Sequence, residues 1–397
     1  MGNKYFSDII KQQLKHDAPY AWFLLHQAKQ SPLFRKKDIQ RLEERLEAYV
    51  ACFILSQKAD DSLLPKLNLS DWGAVYVAAT VALSCEDDEA FALAVEGVKN
   101  QQQAEELRDA LCKKSYSEIV DKLQYLIVHE NPWVRVAAIE TLKSQNVVPD
   151  ALLMNKLFES ESSEVEAALL QLIGDEKLKA YQKEVLERME HTDENVRFYA
   201  VYAGCMLKIS EAYRALQHFC FMPNAYLKKA LSMLYHVVKE EHIGDLLHEV
   251  STRIPSSRIK AYNLAMAGLP EAIPLLLRQM YRLEDAKYCA EAFSLITGVD
   301  IEEEDMSRQM PLSEEEEAII IQSQKEDEWT AFYEDDLPLP DVKRLEEWWQ
   351  KHQKDFMSGI RYLSGKPINE ANLRYIFEQG NSLESELAIL VLRLKYE

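Results

Sequence analysis

Glycine and proline are scarce in this chain, at 11 and 13 of 397 residues, against usual shares of about 7% and 5%. Sheet-rich folds spend glycine on turns and tight connections, so the shortage argues against a β-sandwich or a doubly wound fold. Basic charge is short as well: 46 Lys and Arg stand against 66 Asp and Glu, a net charge of −20. Nucleic acid and anionic membrane surfaces need clustered cations, so neither is an expected partner. The six cysteines (Cys52, Cys85, Cys112, Cys205, Cys220 and Cys289) stand singly, without a CxxC or a histidine at metal spacing. They read as small buried apolar side chains in a reducing compartment. No apolar run reaches the roughly 18 residues of a membrane-spanning helix. The opening MGNKYFSDIIKQQLKHD has no leader-like apolar core, so a cytoplasmic location is expected.

Motifs of common chemistries are missing too. No GxGxxG, Walker loop, HExxH or GxSxG occurs, so no catalytic, cofactor-binding or metal-ligating residue is assigned and no enzyme is expected. His236, His242 and His248 recur every six residues, which turns them to different sides of a helix. They fit polar-surface or helix-end positions better than a metal site. The acidic runs Glu302–Asp305 and Glu314–Glu317 lack the alternating oxygens and central glycine of a calcium loop.

What the chain has is hydrophobic content, 47%, with abundant Leu, Ala, Glu, Lys and Gln, the residues that favour helix. It also repeats itself. Val134, Val165 and Val196 lie 31 residues apart, each inside a similar octet: NPWVRVAA, SSEVEAAL and DENVRFYA. Another 31 residues lead to Leu227, and steps of 32 and 30 reach Ile259 and Cys289. Asn131, Ser162 and Asp193 are placed to cap a helix start, and Pro132 suits a first turn. Apolar residues follow at 0, +3, +4 and +8, one helical face: Val134, Ala137, Ala138 and Leu142, then Val165, Ala168, Leu169 and Ile173. A second apolar helix completes each unit, for example around Ala151–Phe158 and Tyr181–Met189. Two short helices cannot bury their faces alone and must stack. The expected fold is therefore all-α, a helical-repeat solenoid. Its expected parts are a helical region with degenerate capping repeats over 1–125, the repeats over 126–298, an acidic insert over 299–341 and a small helical module over 342–397.

The insert holds sixteen acidic and two basic residues between Asp300 and Asp341, a composition that is usually solvated, and it reads equally as a strap docked on the solenoid or as a segment that folds on meeting a partner. It also carries Trp329, Phe332 and Tyr333, large rings of the kind that dominate interface energy. After Leu337-Pro338-Leu339-Pro340-Asp341 comes a helix with Trp348, Trp349 and His352, then the glycine-bearing turn Arg361-Tyr362-Leu363-Ser364-Gly365-Lys366-Pro367. Aromatics at this spacing read as a weld of the C-terminal module. Arg361 beside them calls for a fixed carboxylate partner, with candidates in the insert. Trp329, Phe332, Tyr333, Trp348, Trp349, Arg361 and Tyr362 are the candidate partner-binding residues.

The D-x-x-V-R-x-x-A opening resembles HEAT-like repeats of the phycobilin-lyase type. The compound of Thr297-Gly298-Val299-Asp300, the acidic stretch, LPLPD, Trp348-Trp349 with His352 and the Arg361–Pro367 turn resembles a bacterial family of HEAT-repeat proteins often encoded beside type VI secretion genes. The likeness covers residues 285–395 most fully. Where that family has an arginine-rich stretch, this chain has Gly380–Glu386, so a contact made by those arginines does not carry over. The resemblance implies a scaffold or adaptor that binds a protein, such as a secretion component or effector, and names no reaction. The alternative class is a HEAT-like nucleic-acid enzyme of the alkylpurine DNA glycosylase type, which needs a basic concave surface.

Overall fold

The computed structural model describes residues 8–58, 63–64, 67–160, 162–326 and 337–396. It is all-α, with 21 α-helices and one two-stranded hairpin among the described residues. None of the described helices is long and apolar enough to cross a membrane. The chain divides into two compact units, Met1–Gln30 with Phe34–Lys208, and Ser31–Leu33 with Ile209–Glu397. The division falls between Lys208 and Ile209, inside the stretch that reads as one run of repeats.

The first unit holds α1 (Asp8–Gln30), α2 (Lys36–Lys58), α3 (Ala74–Cys85), α4 (Asp88–Glu96), α5 (Gln101–Leu111), α6 (Tyr116–Leu126), α7 (Pro132–Ser144), α8 (Ala151–Phe158), α9 (Ser163–Asp175), α10 (Gln182–Arg188) and α11 (Glu194–Met206). Helices α5, α7, α9 and α11 pack side by side in sequence order. Each begins where its cap predicts: Asn131 accepts from the Trp133 N–H, Ser162 from Val165 and Asp193 from Val196. Such caps are worth about 1 kcal/mol each. Val134, Val165 and Val196 are fully buried, each contributing roughly 1.5–3 kcal/mol. Close approach is enforced at Gly174, where a Cβ would come within 2.9 Å of the Ala203 Cα.

The register extends one unit earlier than the apolar pattern indicates. Asn100, 31 residues before Asn131, caps α5 by accepting from the Gln103 N–H at 3.0 Å. The anchor position is held by Gln103, buried and satisfied: it donates to the Leu69 carbonyl at 2.9 Å and accepts from the Lys99 N–H at 2.8 Å.

The second unit holds α12 (Ser210–Phe219), α13 (Leu227–Val237), α14 (Ile243–Arg253), α15 (Ser257–Ala267), α16 (Ile273–Gln279), α17 (Leu283–Thr297), α18 (Glu314–Glu326), α19 (Val342–His352), β1 (Tyr362–Leu363), β2 (Lys366–Pro367), α20 (Glu370–Gln379) and α21 (Ser382–Lys395). Helices α13, α15 and α17 again lie side by side, with Leu227, Ile259 and Cys289 buried. Three cysteines (Cys205, Cys220, Cys289) are buried, whereas Cys52, Cys85 and Cys112 are only half-buried, short of the burial expected for all six. The insert is closed at its base. Arg308 N–H donates to Leu339 O at 2.8 Å, and Asp341 N–H to Met306 O at 2.7 Å. Within it α18 packs on α17, while Ile319 and Ile321 stay exposed.

Candidate functional site

Of the seven candidate residues, Trp329, Phe332 and Tyr333 lie outside the described residues. The other four fall on α19 and the hairpin. Trp348 and Trp349 are half-buried. Trp348 stacks on His352 at 4.3 Å and meets Phe293 of α17 edge-on at 5.8 Å. Phe356 joins Trp349 at 5.4 Å to Tyr362 at 4.9 Å. The rings fasten α19 and the hairpin to α17, as offset and edge-to-face pairs do in cores.

The hairpin itself seals two helix ends, those of α15 and α17. Ser364 and Gly365 both have positive φ, 48° and 72°, the two-residue turn whose twist suits a tight hairpin. Its backbone donates to helix C-terminal carbonyls that would otherwise lack partners. Tyr362 N–H reaches Gly268 O at 2.7 Å, Ser364 N–H reaches Leu295 O at 2.6 Å, and Gly365 N–H reaches Ile296 O at 3.1 Å. Gly268 and Gly298, at φ 69° and 77°, admit this contact; a Cβ on Gly268 would sit 2.6 Å from Tyr362 O.

Arg361 is buried between α13 and α15. Its Nε donates to Ala267 O at 2.7 Å, Nη1 to Tyr235 O at 2.7 Å and Nη2 to Met266 O at 3.0 Å. One guanidinium thus closes the negative ends of two helices, a geometry only the planar fork supplies. Among the described residues the carboxylate nearest it is Glu240, at 3.8 Å. The expectation of a partner in the insert is corrected: last-turn carbonyls outnumber that one carboxylate around the buried charge. Burial lowers the guanidinium's pKa to about 10. Because Arg361 and Tyr362 are buried and their polar groups already bonded, they anchor the hairpin, which corrects their assignment to a partner-binding surface.

Of the polar-surface and helix-end positions expected for the three histidines, His236 takes a helix end. It sits in the last turn of α13 and is buried, with Nε2 3.4 Å from Arg361 Nη2. Burial first, then the charges of Arg361 and Lys395, hold its pKa well below the usual histidine value, so the ring is neutral. His242 and His248 are exposed. Among the described residues no group of His, Cys, Asp and Glu could hold a metal ion.

A groove that single-residue inspection of the sequence missed runs across α5, α7, α9 and α11, with a volume of about 350 Å³. Residues 31 apart line it in rows: Trp133, Glu164 and Asn195; Ala137, Ala168 and Tyr199; Glu140 and Gln171. Its charged walls carry Glu105, Glu140 and Glu164 against Arg108 and Lys143. Lys143 pairs with Glu140 at 2.5 Å and approaches Asp175 at 3.9 Å. The signal for this groove was present in the repeat register, in the side chains one residue before and three after each anchor.

Glu106 was likewise missed. It occupies the position of Ala137 and Ala168 one repeat earlier and is fully buried. Its Oε2 accepts from Val75 N–H at 2.9 Å and Tyr76 N–H at 3.4 Å, and Oε1 from Gln102 Nε2 at 3.1 Å. Gly73, the residue before α3, offers no side-chain cap, so this carboxyl supplies one from another helix. Burial pushes its pKa up to about 7, against the opposing pull of those N–H bonds.

Comparison of the chain with protein-family models, curated proteins and solved structures finds no match in any of the three.

Proposed function

We propose that the protein is a non-catalytic scaffold or adaptor, a HEAT-like helical solenoid that holds an extended segment of a protein partner in the groove of α5, α7, α9 and α11. The observation that carries this reading is that equivalent positions of successive 31-residue units line one continuous groove. Such a surface is how stacked repeats make a binding face. Helix axes packed about 8–10 Å apart give four helices a span near 27 Å, enough for about eight extended residues. The groups with strongly shifted pKa values, the usual signposts of an active site, are all buried: Glu106 and Arg361 are consumed by backbone bonding, His236 lies beneath Arg361, and burial raises Cys205, Cys289, Tyr235 and Tyr262, which keeps those thiols and phenols protonated, a pattern that favours binding over catalysis. The glycosylase alternative requires a basic face, and the groove's three glutamates against two cations weigh against it. A cytoplasmic site of action, and a type VI secretion component or effector as partner, rest on the composition and on the resemblance of the C-terminal motif.

The test is affinity capture from the cells that make the protein, with the intact chain and with a Trp133→Ala Tyr199→Ala variant side by side. A partner held by the intact chain and lost from a variant that melts normally supports the groove. Equal retention by both would move the binding face elsewhere.

A further inference from the structure

An open cleft of about 490 Å³ lies between α1 and the turn ahead of α3, and it shares no lining residue with the groove. Three rings wall it. Phe23 meets Trp72 edge-on at 4.8 Å, and Tyr20 lies 6.0 Å from Phe23 on the neighbouring turn of α1. Tyr20 is 55% exposed and Trp72 52%. Large rings left in water at one spot forgo burial that would otherwise stabilise the fold, and such patches mark interaction sites.

The cleft is built by backbone as well as by rings. Pro19 stands inside α1 and has no N–H, so the carbonyl of Lys15, four residues earlier, lacks its helical donor. The turn bearing Asp71 and Trp72 is pressed onto the same proline. Gly73 has φ 84°, and a Cβ there would come within 2.2 Å of the Pro19 carbonyl oxygen. Directly beyond, Glu106 holds the Val75 and Tyr76 N–H groups and fixes where α3 begins. Trp72 is therefore a wall set by two tertiary contacts, not a side chain on a free loop.

The polar side chains of this lining include both acids and bases. Asp17 and Asp71 contribute carboxylates, one oxygen of Asp71 being bonded to Asn68 at 2.7 Å, while Lys15 and His16 are the basic members. Aromatic faces attract cations, arginine most often, and a guanidinium can lie flat on a ring while its edge donors reach carboxylates.

We propose that this cleft binds an arginine side chain from an exposed basic segment of a partner protein. Trp72 and Tyr20 supply the stacking faces, and Asp17 and Asp71 the counter-charge. The site is separate from the groove and stands whether or not the groove takes a partner.

The experiment is calorimetric titration of the full chain with acetyl-Gly-Arg-Gly-Arg-Gly-amide, beside counterparts carrying citrulline, lysine or leucine at both arginine positions. The arginine peptide should bind saturably at millimolar concentration or below, and citrulline should weaken it tenfold or more. Trp72→Ala and, independently, Asp17→Asn with Asp71→Asn should each cost tenfold or more with the melting temperature unchanged, while the groove variant Trp133→Ala binds as the parent does. Absence of saturable binding overturns the proposal. So does equal binding of the leucine or citrulline peptide, which makes the cleft merely apolar, or of the lysine peptide, which removes the need for a guanidinium. Retention of affinity in both cleft variants places any binding on other acidic surface and overturns it as well.

Discussion

Replacing Glu106 by glutamine should flatten one limb of the protein's stability-against-pH curve. The carboxyl is raised from 4.5 to about 7 in the folded chain, chiefly by burial. Below pH 4.5 it is protonated in both folded and unfolded states, and its stabilising contribution is complete. Between 4.5 and about 7 the folded state keeps a proton that the unfolded chain releases, so stability falls as pH rises through that window. A shift of about 2.5 units at about 1.4 kcal/mol each amounts to roughly 3 kcal/mol lost by pH 8. Glutamine keeps an acceptor for the Val75 and Tyr76 N–H groups but cannot ionise. The assay is urea unfolding of parent and Glu106→Gln at pH 5, 6, 7 and 8, following the transition of the first unit, since two compact units can melt separately. The difference in unfolding free energy between variant and parent should move by about 2.5 kcal/mol in the variant's favour from pH 5 to 8. A difference that stays constant across the series refutes the reasoning, because it means the carboxyl titrates alike in both states.

His236 carries the opposite sign: its folded pKa is depressed, so the stability it protects is present above about pH 6.5 and is lost as pH falls below that value; His236→Gln should remove that acid sensitivity in thermal melts of the second unit. Arg361→Ala should cost about 3 kcal/mol or more by leaving the Tyr235, Met266 and Ala267 carbonyls without their donor, and Arg361→Lys should restore only part, since a point charge cannot span two helix ends. Gly268→Ala, with its Cβ 2.6 Å from Tyr362 O, should destabilise by about 2–3 kcal/mol, whereas Gly359→Ala, at φ 74° but in open space, should cost only about 1 kcal/mol of backbone strain in the same melting series. Trp348→Ala should lower stability by about 2 kcal/mol, less than a fully buried tryptophan would, because the ring is half-exposed.

The sequence by itself determined where helices begin and which face each buries. Capping by Asn131, Ser162 and Asp193 and apolar spacing at 0, +3, +4 and +8 are settled among residues about four apart, and the chain follows them closely in α7, α9 and α11. The same local logic hid α5 as a repeat, because Gln103 and Glu106 replace apolar residues at its anchor positions and look like surface until their partners are known. Those partners, Leu69 for Gln103 and Val75 with Tyr76 for Glu106, lie about 30 residues away. Arg361 is the clearer case. Its acceptors come from 94, 95 and 126 residues earlier in the chain, and nothing in the RYLSGKP segment records them. Only the tertiary structure decided that this arginine, and His236 beneath it, would be buried. A charge can be buried only where enough acceptors converge, and that convergence depends on which helix ends meet, not on the residues beside it in sequence.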